Sequence, residues 1–232
     1  MLVKPLFGFA LDNDRLFCYN LYNSIVYFQH ILGGVKMDNY SFFALVFRQK
    51  YIRRWGLMRN TLSENLSEHA METAVLAHAL AVIGNEYFQK SHDPDRIATL
   101  ALFHDVPEVY TGDLPTPVKY FDRNTRESYK HIEDQAIQTL LSKLPDPLRA
   151  SYQEIFSGGK AEEHKLIKAA DKLTAYIKCV EEEKCGNTEF LSAKNATAKS
   201  LSDMHCEELD WFIQHLLPCF GMTIDEMQAN NQ

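Results

Sequence analysis

The stretch Asp93-Pro94-Asp95-Arg96-Ile97-Ala98-Thr99-Leu100-Ala101-Leu102-Phe103-His104-Asp105 decides the fold class. It opens with a carboxylate placed to cap free backbone amides. A proline follows at the first turn, where its missing N–H costs nothing. Ile97, Leu100, Ala101 and His104 fall on one helical stripe, and Ala98, Ala101, Leu102 and Asp105 on the one beside it. Pro107 limits the helix. Both His104 and Asp105 therefore turn toward buried surface, where an ionised aspartate needs a cation or several hydrogen-bond donors.

The same period runs outward through nearly all of the chain from Met37 on. Phe42, Phe43, Leu45, Val46 and Phe47 ring a first helix to about Trp55, expected to be buried on most sides. Ser67 is a candidate cap for a helix to about Ile83, with Met71, Ala74, Val75, His78 and Val82 on its apolar stripe. Gly112, Pro115 and Pro117 mark a loop. Further helices are expected at about 118–143, 147–156, 161–184 and 189–217, separated by Pro145 and Pro147, Gly158-Gly159 and Gly186-Asn187. No run alternates β-branched residues, and no internal repeat is visible. The expected fold is all-α, a single helical domain over residues 37–232.

Residues 1–36 read differently: seven are aromatic, five are charged, and no helical or strand period runs through them. Leu16 to Leu32 is apolar, but Asn20, Asn23, Gln29 and His30 are costly in hydrocarbon, which argues against a membrane span. Asp12, Asp14 and Arg15 interrupt the only candidate core of a secretory signal. Two alternatives stand: a start at Met37 with an upstream in-frame extension, or a poorly ordered arm. Either way the domain is one of ordinary size within 232 residues, 46% of them hydrophobic. With 24 basic and 31 acidic side chains the net charge is −7, which disfavours a nucleic-acid partner. Discarding residues 1–36 removes three basic and two acidic side chains, so the acidity belongs to the domain. Cys18, Cys179, Cys185, Cys206 and Cys219 form no CxxC pair and read as reduced thiols of a cytoplasmic protein.

Two further residues extend the His104-Asp105 pair. His69 shares a stripe with Thr73, Leu76 and Leu80, and Asp171 one with Ile167, Ala170 and Thr174. Singly each has an ordinary structural explanation. Together they offer His, His-Asp and Asp on three helices, a mixed nitrogen and oxygen set suited to a divalent transition metal with open positions for water.

The order His69…His104-Asp105…Asp171 resembles the signature of HD-domain metal-dependent phosphohydrolases. The strings Arg54-Trp55-Gly56-Leu57-Met58-Arg59-Asn60, Glu64-Asn65-Leu66-Ser67-Glu68-His69 and His104-Asp105-Val106-Pro107-Glu108 through Tyr120 are similar to the bacterial HD-domain 5′-deoxynucleotidases (YfbR-like). The resemblance spans about Met37 to the end and leaves out residues 1–36. It implies an HD-domain helical bundle that hydrolyses deoxyribonucleoside 5′-monophosphates with one divalent metal ion (Co, Mn or similar). His69, His104, Asp105 and Asp171 would be the ligands, with His69 also at the substrate. Glu108, three residues after Asp105, would be the catalytic carboxylate, one helical turn from a ligand and able to take a proton from the attacking water. Arg54 and Trp55 would hold the phosphate, although composition alone makes Arg54 one surface cation among several. Asp113, Leu114, Pro115 and Thr116 would line the sugar and reject a 2′-hydroxyl left buried and unpaired. The other class within the same superfamily is a phosphodiesterase or guanosine-polyphosphate hydrolase, and a non-enzymatic nucleotide-binding protein is the third. The resemblance further implies a homodimer.

Other motifs have plainer explanations. Lys119 is a candidate for phosphate charge balance, and His78 reads as a core or interface histidine. Glu181-Glu182-Glu183 reads as a solvated helix end. Cys179 and Cys185, six apart, make a poor nucleophile or disulfide. His92, His131, His164, His205 and His215 show no ligand spacing.

Overall fold

The computed structural model describes residues 39–119 and 121–229, without the side chain of Thr116, so the expectations for residues 1–36 and for Met37 lie outside the described residues. Among the described residues there is no β-strand, only an isolated antiparallel bridge between Arg53 and Asn65. The helices are α1 (Phe42–Val46), α2 (Leu66–Phe88), α3 (Pro94–Leu102), α4 (Glu108–Thr111), α5 (Thr116–Lys119), α6 (Arg123–Leu141) and α7 (Asp146–Phe156). They continue with α8 (Ala161–Lys184), α9 (Leu191–Ser202), α10 (Glu207–His215) and α11 (Ile224–Ala229).

The long helix α2 packs on α3, α8 and α10, and α8 in turn on α9. Leu76, Ala77, Leu80, Ile97, Leu100, Leu173, Leu209 and Phe212 fill the space between them. A second cluster joins Phe42 to Val106, Leu140, Leu141 and Leu144, with Phe103, Tyr152 and Phe156 packed against it. Tyr152 meets Phe42 edge-on, with ring centroids 4.9 Å apart. The His104-Asp105 turn thus lies between Ala101 of the first cluster and Val106 of the second, held from both sides.

Several boundaries differ from expectation for local reasons. Asn65, not Ser67, caps α2: its Oδ1 accepts from the amides of Ser67 (2.9 Å) and Glu68 (3.1 Å), while Glu68 Oε2 accepts from Asn65 N (2.8 Å). This is a capping box, signalled by Asn65 and Glu68 at three-residue spacing. The first helix ends at Val46, continues as a 3₁₀ turn over Phe47–Tyr51 and stops before the bridge at Arg53. Only Phe42 of its five apolar residues is buried; Phe43 and Phe47 are exposed. The expected 118–143 helix is two, α5 and α6, with Asp122 capping the second through Thr125 N. The 189–217 span breaks into a 3₁₀ turn, α9 and α10, with His205 in the left-handed region at φ 47° between them.

The apolar stripe of α2 is also turned. His69, Ala70, Thr73, Leu76, Ala77, Leu80 and Ala81 face the core, whereas Met71 and Val75 are exposed. His78 is half-buried, with Nε2 3.6 Å from Asp95, and does not belong to the core. A helix apolar on most of its circumference carries two overlapping stripes, and only its neighbours choose between them.

Candidate metal centre

Four side chains from three elements converge. His69 sits in the first turn of α2 and is fully buried. His104 and Asp105 follow α3 directly, in a tight turn closed by His104 N to Ala101 O (3.3 Å) and Glu108 N to Asp105 O (3.0 Å). Asp171 lies near the middle of α8. One ligand atom from each residue lies within 4.8 Å of all the others. His69 Nε2 is 3.1 Å from Asp171 Oδ1 and 3.5 Å from Asp105 Oδ2. His104 Nε2 is 3.1 Å from Asp105 Oδ2 and 3.9 Å from Asp171 Oδ1. Asp171 forms the open edge, its side chain 39% exposed against 0% for His69.

The His104 imidazole is turned by its other nitrogen. His104 Nδ1 donates to the Ala101 carbonyl at 2.6 Å, which turns Nε2 toward the carboxylates. That Nε2 is buried and lies outside hydrogen-bond geometry with every neighbour. Burial alone would depress the His104 pKa, but Asp105 and Asp171 outweigh it and raise it to about 9. His69 is also raised: burial and Arg54 work against its charge, and Asp171 and Glu64 prevail. Burial works against ionised Asp171 too, yet the two histidines and Arg54 hold it well below the usual carboxylate range. The pocket therefore favours positive charge at its centre. Two imidazole nitrogens and two carboxylate oxygens, with one nitrogen lacking a partner, fit a divalent transition metal.

Around this set stand the other residues expected from the sequence. Arg54 Nη1 lies 3.7 Å from Asp105 Oδ2 and 3.8 Å from Asp113 Oδ1, so its guanidinium borders the cluster and is no loose surface cation. Trp55 packs its ring on Phe190, centroids 5.3 Å apart, and spends its indole N–H on Glu64 Oε2 at 2.8 Å. Its ring face, not its N–H, is what remains for a ligand. Trp55 also adopts a left-handed φ of 57°, a cost that a bulky residue bears only where its surroundings fix it. Glu108 opens α4 and is buried, with Oε2 unpartnered; burial first, then the Asp105 and Asp113 charges, push its carboxyl up to about 9. Leu114 and Pro115 are half-buried in the loop after Asp113, and Thr116 begins α5. Lys119 pairs with Glu133 at 3.0 Å and lies over the Tyr129 ring at 4.8 Å.

The model of the 5′-deoxynucleotidase YfbR-like family matches residues 41–220. The chain belongs to this family. A 5′-deoxynucleotidase of Cronobacter sakazakii is 46% identical over 201 residues, covering 84% of this chain and 99% of that relative. One of Vibrio cholerae is 45% identical over 193 residues, 82% of this chain and 100% of its own length. Solved structures share the family's fold. An HD-domain phosphohydrolase from Listeria innocua superposes with TM-score 0.69 at 19% identity, over 78% of this chain and 88% of that one. A cyanophage S-2L HD phosphohydrolase, solved bound to dA and one catalytic Zn²⁺ ion, gives TM-score 0.57 at 20% identity, over 75% and 95%.

Sequence reasoning missed two residues that the structure makes central. Glu182, expected on a solvated helix end, is fully buried and accepts from Lys178 Nζ, Asn187 Nδ2 (2.7 Å) and the amides of Thr61 (2.9 Å) and Leu62 (3.1 Å). It ties the end of α8 to the loop that carries Arg54 and Trp55. Glu64, inside a family-like string but given no role, contacts Arg54, Trp55 and His69 at once. Lys178, four residues before Glu182, is the one local signal; the other partners are distant in sequence or sit in an irregular loop.

Proposed function

We propose that this protein is a metal-dependent phosphomonoesterase that hydrolyses deoxyribonucleoside 5′-monophosphates to deoxynucleoside and phosphate. The observation that carries it is the convergence of His69, His104, Asp105 and Asp171 within 4.8 Å, bordered by the Arg54 guanidinium. The activity is that named for the relatives at about 45% identity. His69, His104, Asp105 and Asp171 would hold one divalent ion, Mn²⁺ or Co²⁺, chosen by availability as much as by affinity. Such an ion supplies Lewis-acid charge at the phosphate and lowers the pKa of a water nucleophile.

The chain's own residues do the remainder. Arg54 presents Nη1 to the phosphate oxygens, a planar fork matched to an oxyanion. Trp55 offers its ring face to the same group. Glu108 takes the proton of the attacking water as the bond from phosphorus to O5′ breaks, and that proton passes on to the leaving O5′ alkoxide. Burial first, then the Asp105 and Asp113 charges, raise Glu108, and a cation held by Asp105 would offset the second of these. Asp113, Leu114, Pro115 and Thr116 close on the sugar, where a ribose 2′-hydroxyl would be buried without a partner.

Purified protein with Mn²⁺ or Co²⁺ should release phosphate from dAMP at least tenfold faster than from AMP. Equal rates, or hydrolysis only of cyclic or polyphosphorylated nucleotides, overturn this assignment. Among the described residues no helix is long and apolar enough to cross a membrane. Cys179, Cys185, Cys206 and Cys219 are free, which supports a cytoplasmic setting. We further propose a homodimer and no nucleic-acid partner, the latter on the chain's acidity.

A further inference from the structure

Glu64 is buried behind the metal cluster, on the far side of His69. Its carboxylate does three things at once. Oε1 accepts from Arg54 Nε at 3.0 Å, Oε2 accepts from Trp55 Nε1 at 2.8 Å, and Oε1 faces His69 Nδ1 at 3.4 Å. Its main chain adds a fourth tie, because Arg54 N donates to the Glu64 carbonyl at 3.0 Å.

The consequences follow from which atoms are used up. His69 Nδ1 is buried outside hydrogen-bond geometry, and Glu64 Oε1 is the carboxylate oxygen that faces it. A carboxylate beside one ring nitrogen favours the proton there and leaves the lone pair on the other. For His69 that other nitrogen is Nε2, the atom turned to Asp105 and Asp171. Spending Arg54 Nε on Glu64 likewise fixes the plane of the guanidinium and leaves Nη1 toward Asp105 and Asp113. The same carboxylate that turns a ligand also turns the phosphate clamp.

We propose that Glu64 is the positioning residue that joins the two halves of the site, holding His69 with Nδ1 protonated and Nε2 as the ligand atom while orienting Arg54 and Trp55. This rests on the metal-centre reading above. It predicts that Glu64→Gln damages cation binding and phosphate recognition together. Glutamine keeps the shape, but its NH₂ must face either the indole N–H or the Arg54 and His69 donors, so one contact becomes donor against donor.

The test is made on the full chain. Mn²⁺ binding by titration calorimetry and KM for dAMP are measured for wild type, Glu64→Gln and the carboxylate-preserving Glu64→Asp. The expected result is Mn²⁺ affinity weakened ~10–100-fold in Glu64→Gln, the usual size for a partner of a ligating histidine. KM should rise at least tenfold, with Glu64→Asp between the two proteins. A Glu64→Gln protein with lowered Tm but wild-type Mn²⁺ affinity and KM overturns the proposal, since a purely structural residue would behave so. A wild-type chain that takes up no Mn²⁺ overturns the metal-centre reading and the Glu64 role with it. Should Glu64→Gln not fold, ¹⁵N-histidine NMR of the Zn²⁺-loaded wild type decides. His69 protonated at Nδ1 supports the role, and protonated at Nε2 defeats it.

Discussion

Two buried clusters of charge lie at different levels of the same helix, and they are built differently. At the end of α8, Glu182 is completely enclosed and completely satisfied. Burial works against its charge, but Lys178, Asn187 and the amides of Thr61 and Leu62 outweigh it and hold its carboxyl at about 2. Nearer the middle of α8, Asp171 belongs to a set in which His104 Nε2 is buried without a hydrogen bond, as is Glu108 Oε2 beside it. Buried polar groups in native proteins are nearly always paired, because an unpaired one costs about 1–3 kcal/mol. The saturated cluster therefore serves the fold, and the unsaturated one keeps its valences for a ligand. Both are acidic patches on one helix, separated by the count of partners and by the open edge at Asp171.

The sharpest way to break this contrast is Asp171→Asn. Asparagine keeps the size and shape of the side chain and so the local packing, but it is a poor anionic ligand. Turnover should fall at least 1,000-fold with Tm changed by only a few degrees, read by phosphate release and thermal unfolding. Glu108→Gln comes next: turnover drops by roughly 10²–10⁴-fold, the scale of a lost general base, while Mn²⁺ and dAMP still bind in calorimetry. Loss of metal in that variant would move Glu108 into the ligand set.

On the saturated side the effects are on stability. Glu182→Gln leaves Lys178 buried without its counter-ion and should cost about 3–5 kcal/mol in denaturant unfolding. Its pH dependence has a definite sign. The folded-state pKa of Glu182 lies below the ordinary value of 4.5, so its contribution is present above that value and lost as pH falls toward 2. The stability gap between wild type and Glu182→Gln should accordingly narrow between about pH 5 and pH 2. The smallest effect expected is from removing residues 1–36, which should leave phosphate release unchanged, since the family match begins at residue 41.

Much of this was legible in the sequence, and the gaps have physical causes. The predicted limits of α8 at 161–184 coincide with those observed, because Gly158-Gly159 and Gly186-Asn187 punctuate it on both sides. Asp93 caps α3 through the Arg96 amide at 3.0 Å, as a carboxylate before proline should. His69, His104, Asp105 and Asp171 were singled out because imidazoles and carboxylates on apolar stripes are costly without a purpose. What failed was anything decided by distant partners. The outward face of α2 looked like its core stripe, since Met71 and Val75 are as apolar as Leu76 and Leu80. Glu182 looked like one of three solvated glutamates, and only the loop at Thr61 and Leu62, about 120 residues earlier, makes it a buried anchor. Trp55 is expected at the phosphate from the sequence, and only the fold shows that its indole N–H is already taken by Glu64.

The central claim is that the unsaturated cluster is a metal centre, and Mn²⁺ titration followed by electron paramagnetic resonance tests it most directly. The free-ion signal should be suppressed until one equivalent per chain is bound in the wild type. In Asp171→Asn the signal should rise from the first addition. Wild-type protein that suppresses no signal, or a variant that binds as the wild type does, would contradict it.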